Sequence, residues 1–399
     1  MGRFTFQGAH LVDALAELSS SSMTVADGRI EQLGEEGEQP GLVIEAEDAI
    51  ILPGFIDVHT HGGGGFNLST ADASEICAYA RWAPGSGTTA FLVGVIGVPY
   101  ALPEQQLRAA VEAIERCQAS QEPLAEPLGI HLEGPYLNIA RRGAHLPEWL
   151  RQPSEAEAER ILELTRGHLR LVTLAPELPG AEAMIRRFLD AGVTVSLGHS
   201  DASYEQARRA FALGVSHVTH CFNAMRPLHH REPGPLGALV EAGHVRGELI
   251  VDGVHVHPAA MKALVKALGP ERTVVITDAL CGAGSPERSF EFGGQRATVI
   301  DGAARLPDGT ITGSVLTMEQ ALRNVVQMLG FSLREAARML AYNPALAAGV
   351  GERKGRLQRG YDADLLIFDQ ALLLQAVLCR GRLAFVSESW RPRLAPLME

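Results

Sequence analysis

The stretch Ile51–Gly65, ILPGFIDVHTHGGGG, decides the fold. Ile51, Leu52, Phe55, Ile56 and Val58 form a short apolar run bounded by Pro53 and by glycines, the pattern of a buried strand that opens into a loop. His59 and His61 stand at its end. Side chains at i and i+2 of a strand share a face, with alpha carbons about 6.6 Å apart, so both imidazoles can converge on one ion. The glycines that follow leave room for an ion and a substrate to approach the backbone. The plainer reading is a pair of polar residues at a strand exit, and the rest of the chain separates the two.

Downstream, strands alternate with helices. Helical stretches run around Ala71–Trp82 and Pro103–Ala119, and Ser154 with Glu157 opens the helix EAEAERILELT as a capping box. A helix over Gly180–Ala191 precedes GVTVSLGHSDA, and Ser203 with Gln206 caps YEQARRAFALG. Eight such βα units predict an α/β chain built on a (β/α)8 TIM-like barrel with its site at the carboxyl ends of the strands. A doubly wound open sheet is the alternative, but no GxGxxG turn follows the first strand. Arg288–Thr312 reads as a strand-rich insert, Thr317 with Gln320 caps one further helix, and Ser332 with Glu335 caps the last.

Both chain ends are strand-like: FTFQGAHLV, MTVADGRIEQL and GLVIEAEDAII at one end, and GRLQRGYDADLLIFDQALLLQAVLCRGRLAFV at the other. Each is too short to stand alone, which predicts one small β-sandwich built from both. The expected boundaries are residues 1–52 and 346–399 for this β domain and 53–345 for the barrel.

The chain has 399 residues, 46% hydrophobic and 21% charged, with net charge −12. That balance suits a globular protein and argues against nucleic-acid binding. No apolar run approaches the roughly eighteen residues of a membrane span, and the first twenty residues do not resemble a secretory signal. Five scattered cysteines without CxxC spacing fit a reduced, cytoplasmic protein.

The polar residues at the strand ends fall in register. The first strand gives His59 and His61, the third Glu133, the fifth His199, the sixth His220, the seventh His255 and the eighth Asp278. Nitrogen and oxygen donors without a thiolate cluster point to Zn2+, or to Fe2+, Mn2+ or Co2+. Glu133 has two oxygens and is able to bridge two ions. Asp278 would be the general base that takes a proton from the attacking water.

The motifs HTH, HLEGP, GHSDA, THCFNAM, DGVHVHP and TDA, flanked by PGFIDVHTHG and GYDADLLIFD, resemble the amidohydrolase superfamily. HLEGPYLN with RRGAH, and THCFNAM with REPG, narrow the resemblance to its N-acetylglucosamine-6-phosphate deacetylase family, over nearly the whole chain. Many two-metal amidohydrolases bridge their ions with a carboxylated lysine on strand four. No lysine precedes Lys262 here, which rules that arrangement out, and the resemblance implies that Glu133 on strand three takes the bridging place.

The resemblance implies a site residue by residue. Glu133, His199 and His220 would hold the principal ion, and His59 and His61, with Glu133 and Asp278, a second, giving one or two ions per subunit. His145 would polarise the acetyl carbonyl or hold the sugar. Ala144, Asn223 and Ala224 would contact sugar and phosphate, Arg231 and His255 would hold the 6-phosphate, one of them across a dimer interface, and Ile311, Thr312, Gly313 and Ser314 would line the pocket. The implied reaction is metal-dependent hydrolysis of N-acetyl-D-glucosamine 6-phosphate to D-glucosamine 6-phosphate and acetate by a homodimer, with no nucleic-acid or membrane partner. Its alternatives are N-acetylgalactosamine 6-phosphate as substrate, an amidohydrolase of N-acyl amino acids or cyclic amides, and a scaffold without activity.

Other residues read as structural. His131 shares the face of Glu133 one step deeper and is expected as a hydrogen-bonded core histidine; His217 is expected to face away from His220, and Cys221 to enter the barrel wall. Cys281 is expected as a small buried thiol rather than a nucleophile.

Overall fold

The computed structural model describes residues 2–34 and 41–398; residues 35–40, inside the expected N-terminal β segment, lie outside the described residues. Eight parallel strands form the barrel sheet: β1 (Phe55–Asp57), β2 (Thr88–Ile96), β3 (Glu126–Glu133), β4 (Leu169–Leu174), β5 (Thr194–Leu197), β6 (His217–Val218), β7 (Arg246–Ile250) and β8 (Thr273–Ile276). They pair in sequence order from β1 to β8. Every residue of β2 and β3 is buried, as expected for parallel strands covered on both faces.

Hydrogen bonds from one side chain and from the backbone bring the two edges of this sheet together. The Asp57 carboxylate accepts from the Thr277 hydroxyl at 2.6 Å and from the Thr277 N–H at 3.3 Å, and the Asp278 N–H donates to the His59 carbonyl at 2.8 Å. Asp57 is fully buried, and burial pushes its carboxyl up to about 7 despite the Thr277 bonds.

The opening stretch proves to be two strands in two sheets, not one. Ile50–Pro53 belongs to a mixed eight-stranded sheet made from both chain ends, where it lies antiparallel to Leu365–Phe368 and parallel to Phe4–Val12. The chain then passes through Gly54 into β1. A Cβ at Gly54 would sit 2.1 Å from Thr89 Oγ1 and 2.8 Å from Asp364 Cβ, so the crossing requires glycine. The end sheet has its own core, with Phe6, Met23, Ile51, Leu365, Leu378 and Trp390.

Helices Ala73–Trp82, Glu104–Ala119, Glu155–Thr165, Ala181–Asp190, Tyr204–Leu213 and Pro258–Leu268 pack on the barrel. Ser203 with Gln206, and Ser332 with Glu335, form reciprocal capping boxes. Ser154 accepts from the Glu157 N–H, but the Glu157 carboxylate turns to Arg151 and the Tyr136 hydroxyl, so that box is half made. Thr317 does not cap its helix; its hydroxyl donates to Glu319 at 3.3 Å. The insert is a four-stranded antiparallel sheet: β9 (Ser289–Phe292), β10 (Gln295–Ile300), β11 (Ala303–Arg305) and β12 (Ile311–Ser314).

Candidate metal centre

At the carboxyl end of the barrel, strand-exit loops gather the expected donors. Glu133 is the last residue of β3, while His59, His199, His220 and Asp278 each stand two residues beyond their strands. His199, His220 and Asp278 adopt left-handed backbone, with φ of 49°, 26° and 49°. Non-glycine residues pay for that conformation, and here it turns three donors inward. His255 departs from the expected strand end. Strand β7 stops at Ile250, and a loop carries His255, where Asp252 accepts from the N–H groups of Val254 and His255 and from His255 Nδ1 at 2.6 Å.

Glu133 is the hub. Its Oε1 lies 3.1 Å from His199 Nε2, 3.3 Å from His220 Nε2 and 3.4 Å from His59 Nε2. Its Oε2 lies 3.1 Å from His61 Nε2 and 3.5 Å from His145 Nε2. Asp278 Oδ1 sits 3.5 Å from His59 Nε2 and 3.4 Å from His61 Nε2. The two Glu133 oxygens thus face two histidine groups.

Tautomers show that these donors fit a cation. A carbonyl or carboxylate only accepts, so His199 Nδ1–H donates to the Arg141 carbonyl at 2.9 Å, and His59 Nδ1–H donates to Glu248 at 2.9 Å. In neutral form each then turns an unprotonated Nε2 toward the cluster. His199 Nε2 lies 3.0 Å from His220 Nε2, and His59 Nε2 is buried with no hydrogen-bond partner. Lone pairs aimed at one another and at a carboxylate repel unless a cation lies among them. Among the described residues, two overlapping sets have the spacing for an ion: His59, His61 and Glu133, and Glu133, His145 and His199.

The electrostatics agree. Burial would lower His61, but Asp278 and Glu133 raise it to about 9; burial would raise Asp278, but His59 and His61 bring it to about 2. The carboxylates therefore demand positive charge, and Asp278 is ionised at neutral pH. His145 is held below its usual value by burial.

A cavity of about 180 Å3 opens over the cluster. Of the expected residues, His61, Glu133, Ala144, His145, His199, His220, Asn223, Ala224, His255, Asp278, Ile311, Thr312 and Gly313 line it. Ser314 lies behind the wall, its hydroxyl donating to the Thr277 carbonyl. Arg231 is exposed and outside the lining; its guanidinium lies 2.8 Å from His230 Nε2.

Glu248 and Phe292 are not singled out in the sequence reading, and His217 stands otherwise than expected. Glu248, fully buried within β7, accepts from His59 Nδ1 and from the His220 N–H at 3.2 Å, and so holds two histidines of the cluster from behind. His217 does not face away: its Nε2 lies 3.5 Å from Glu248 Oε1. Strand β6 is two residues long, so alternation does not extend to His220. Phe292, from the insert, completes the cavity wall. His131 is the core histidine expected, 2.8 Å from the Thr173 hydroxyl and lowered by burial to about 3. Cys221 packs in the barrel core, and Cys281 is a buried thiol.

The family model described as the amidohydrolase family matches residues 50–392. The chain belongs to this family. Among amidohydrolases of known function, it is 38% identical to the N-acetylglucosamine-6-phosphate deacetylase of Bacillus subtilis over 91% of this chain and 92% of that one. It is 36% identical to the N-acetylgalactosamine-6-phosphate deacetylase of Escherichia coli O157:H7, over 92% and 95%. A solved structure of a mutant N-acetyl-D-glucosamine-6-phosphate deacetylase from Mycobacterium smegmatis, in complex with N-acetyl-D-glucosamine-6-phosphate, superposes with TM-score 0.87 at 35% identity, covering 96% of this chain and 99% of that one. Among the described residues no helix is long and apolar enough to cross a membrane.

Proposed function

We propose that this amidohydrolase hydrolyses the N-acetyl amide of N-acetyl-D-glucosamine 6-phosphate to D-glucosamine 6-phosphate and acetate. The observation that carries the reading is the Glu133-centred histidine cluster with Asp278 at its edge, in a chain that aligns almost end to end with deacetylases of this name. His59, His61, Glu133, His199 and His220 would hold one or two divalent ions, Zn2+ first and Fe2+, Mn2+ or Co2+ as alternatives. Such an ion polarises the acetyl carbonyl and makes the attacking water more acidic.

The chain's own groups do the rest. The Asp278 carboxylate takes a proton from water as its oxygen bonds to the carbonyl carbon. His145 donates an N–H to the oxygen on which charge develops. As the C–N bond breaks, Asp278 gives its proton to the departing nitrogen, leaving acetate and the free amine. His255, oriented by Asp252, would hold the 6-phosphate remote from the reacting bond. Arg231 would complete that contact from a second subunit of a homodimer, which accounts for its distance from the cavity of its own chain. Asn223, Ala224 and Ala144 would border the sugar, with Ile311, Thr312 and Gly313 opposite and Ser314 bracing them. The five free buried cysteines favour a cytoplasmic setting.

The similarity to an N-acetylgalactosamine-6-phosphate deacetylase keeps that sugar as the second reading. Acetate release from the two 6-phosphates and from unphosphorylated N-acetylglucosamine tests both. The expected order places N-acetylglucosamine 6-phosphate first and the unphosphorylated sugar far behind. Equal rates with and without phosphate would overturn the phosphate contacts.

A further inference from the structure

Phe292 separates two spaces. On one side is the cavity over the metal centre, about 180 Å3; on the other a cleft of about 450 Å3 that nothing in the proposed reaction uses. Two residues line both, His61 and Phe292. The ring of Phe292 lies 6.2 Å from the His61 ring and 6.4 Å from that of Trp149, centroid to centroid, and is buried.

The partition is held in place. Gly293 follows Phe292 with φ 56°, and a Cβ there would come 2.1 Å from Trp149 Cη2, so the backbone seats directly on the indole. Gln295 Nε2 donates to the Ala144 carbonyl at 3.2 Å, tying the turn after β9 to the loop that carries His145. Phe292, Trp149, Ala144, Ile96 and Leu280 share one small apolar cluster.

This wall stands where the acyl group must point. In the reading proposed above, on which this inference rests, the reacting carbonyl lies beside Asp278 and His145, and the phosphate end lies toward His255. The acyl group extends from the carbonyl carbon away from the nitrogen, hence away from the sugar. Of the two large apolar side chains on the lining, Phe292 and Ile311, Phe292 makes the ring contact with His61 of the cluster. We infer that Phe292 meets the methyl end of the acyl group and sets the longest N-acyl chain the site cleaves. It is a specificity-determining residue, and the cleft behind it, bordered by Ile96, Val98, Pro99 and Trp149 as well as by polar groups, is the space a longer chain would need.

The test compares kcat/KM for N-acetyl- and N-butyrylglucosamine 6-phosphate in the metal-loaded wild type, Phe292→Ala and Phe292→Leu. A hydrophobic pocket discriminates by about tenfold or more per misfitted methylene. The wild type should disfavour butyryl at least tenfold. Phe292→Ala should raise the butyryl-to-acetyl ratio about tenfold or more, with Phe292→Leu between; the leucine variant carries the test if the alanine variant does not fold. A ratio unmoved in an active variant, or a wild type that cleaves both equally, overturns the role of Phe292. A wild type inactive on the acetyl sugar phosphate overturns the functional reading itself, a separate outcome.

Discussion

Strand β3 carries a buried glutamate at each end, and the two are neutralised in opposite ways. Glu126, at its start, pairs with Arg353, and its Oε2 lies 2.9 Å from Lys354 Nζ; Lys354 also reaches Asp364 and Asp362. Those partners are permanent cations from the segment leading into the end sheet. Glu133, at its finish, faces imidazoles, side chains that are able to bind a metal ion and whose charge depends on protons. The lower cluster is complete within the chain and stitches the barrel to the end sheet. The upper one balances its carboxylates only with protonated histidines or a bound cation, and in the proposed function it is where the chemistry would sit. Burying charge thus serves cohesion when the counter-charge is fixed, and reactivity when it is exchangeable.

Removing the base should break the upper cluster hardest. Asp278→Asn is expected to lower kcat about 10^3-fold or more while metal content, read by mass spectrometry of the protein, stays near the wild-type value. Near-normal turnover would remove Asp278 from its role. Lys354→Met should spare the catalysis of the folded protein but cost about 3–5 kcal/mol in denaturant unfolding, because Asp364 and Glu126 lose a buried partner. A comparable loss of kcat in the folded fraction would mean that the two clusters are not separable.

Acid sharpens the contrast. Burial would raise Glu126, but Lys354 and Arg353 bring its carboxyl to about 2, below the ordinary 4.5. The unfolded chain therefore takes up that proton first, and the stabilisation, present above about pH 4.5, is lost as pH falls toward 2. Asp364 is raised by burial and works in the opposite sense, so the quantity to follow is the difference between wild type and Glu126→Gln. It should shrink by on the order of 3 kcal/mol across that window, measured by urea unfolding. The smallest effect belongs to Glu248→Gln, which keeps the shape but weakens the hold on His59 Nδ1. A 10–100-fold loss of metal affinity by chelator competition is expected, and unchanged affinity would make Glu248 a packing residue.

Most of the barrel was legible because its signals are local: apolar strands, capping serines and polar residues at the exits. The donors His59, His61, Glu133, His199 and His220 were legible for the same reason, since each follows an apolar run. What escaped lay in long-range pairings. Glu248 sits inside one short apolar strand and Asp57 ends another, and only their partners, His59 and Thr277, reveal why they are there. An acidic residue within a strand buried on both faces was the available signal, because such a group needs a partner. The split of the opening run at Gly54 was hidden because both halves are equally apolar and differ only in the sheet they join. His217 escaped because alternation was carried past the end of a two-residue strand, and Phe292 because an insert gives no sign of where it folds back.

In the proposed function the upper cluster needs an exchangeable cation to act. The most direct measurement is acetate release from N-acetylglucosamine 6-phosphate by one preparation as purified, after chelator treatment, and after Zn2+ is returned. Loss on chelation with recovery on return is the predicted result. Undiminished release from protein shown to be metal-free would contradict it.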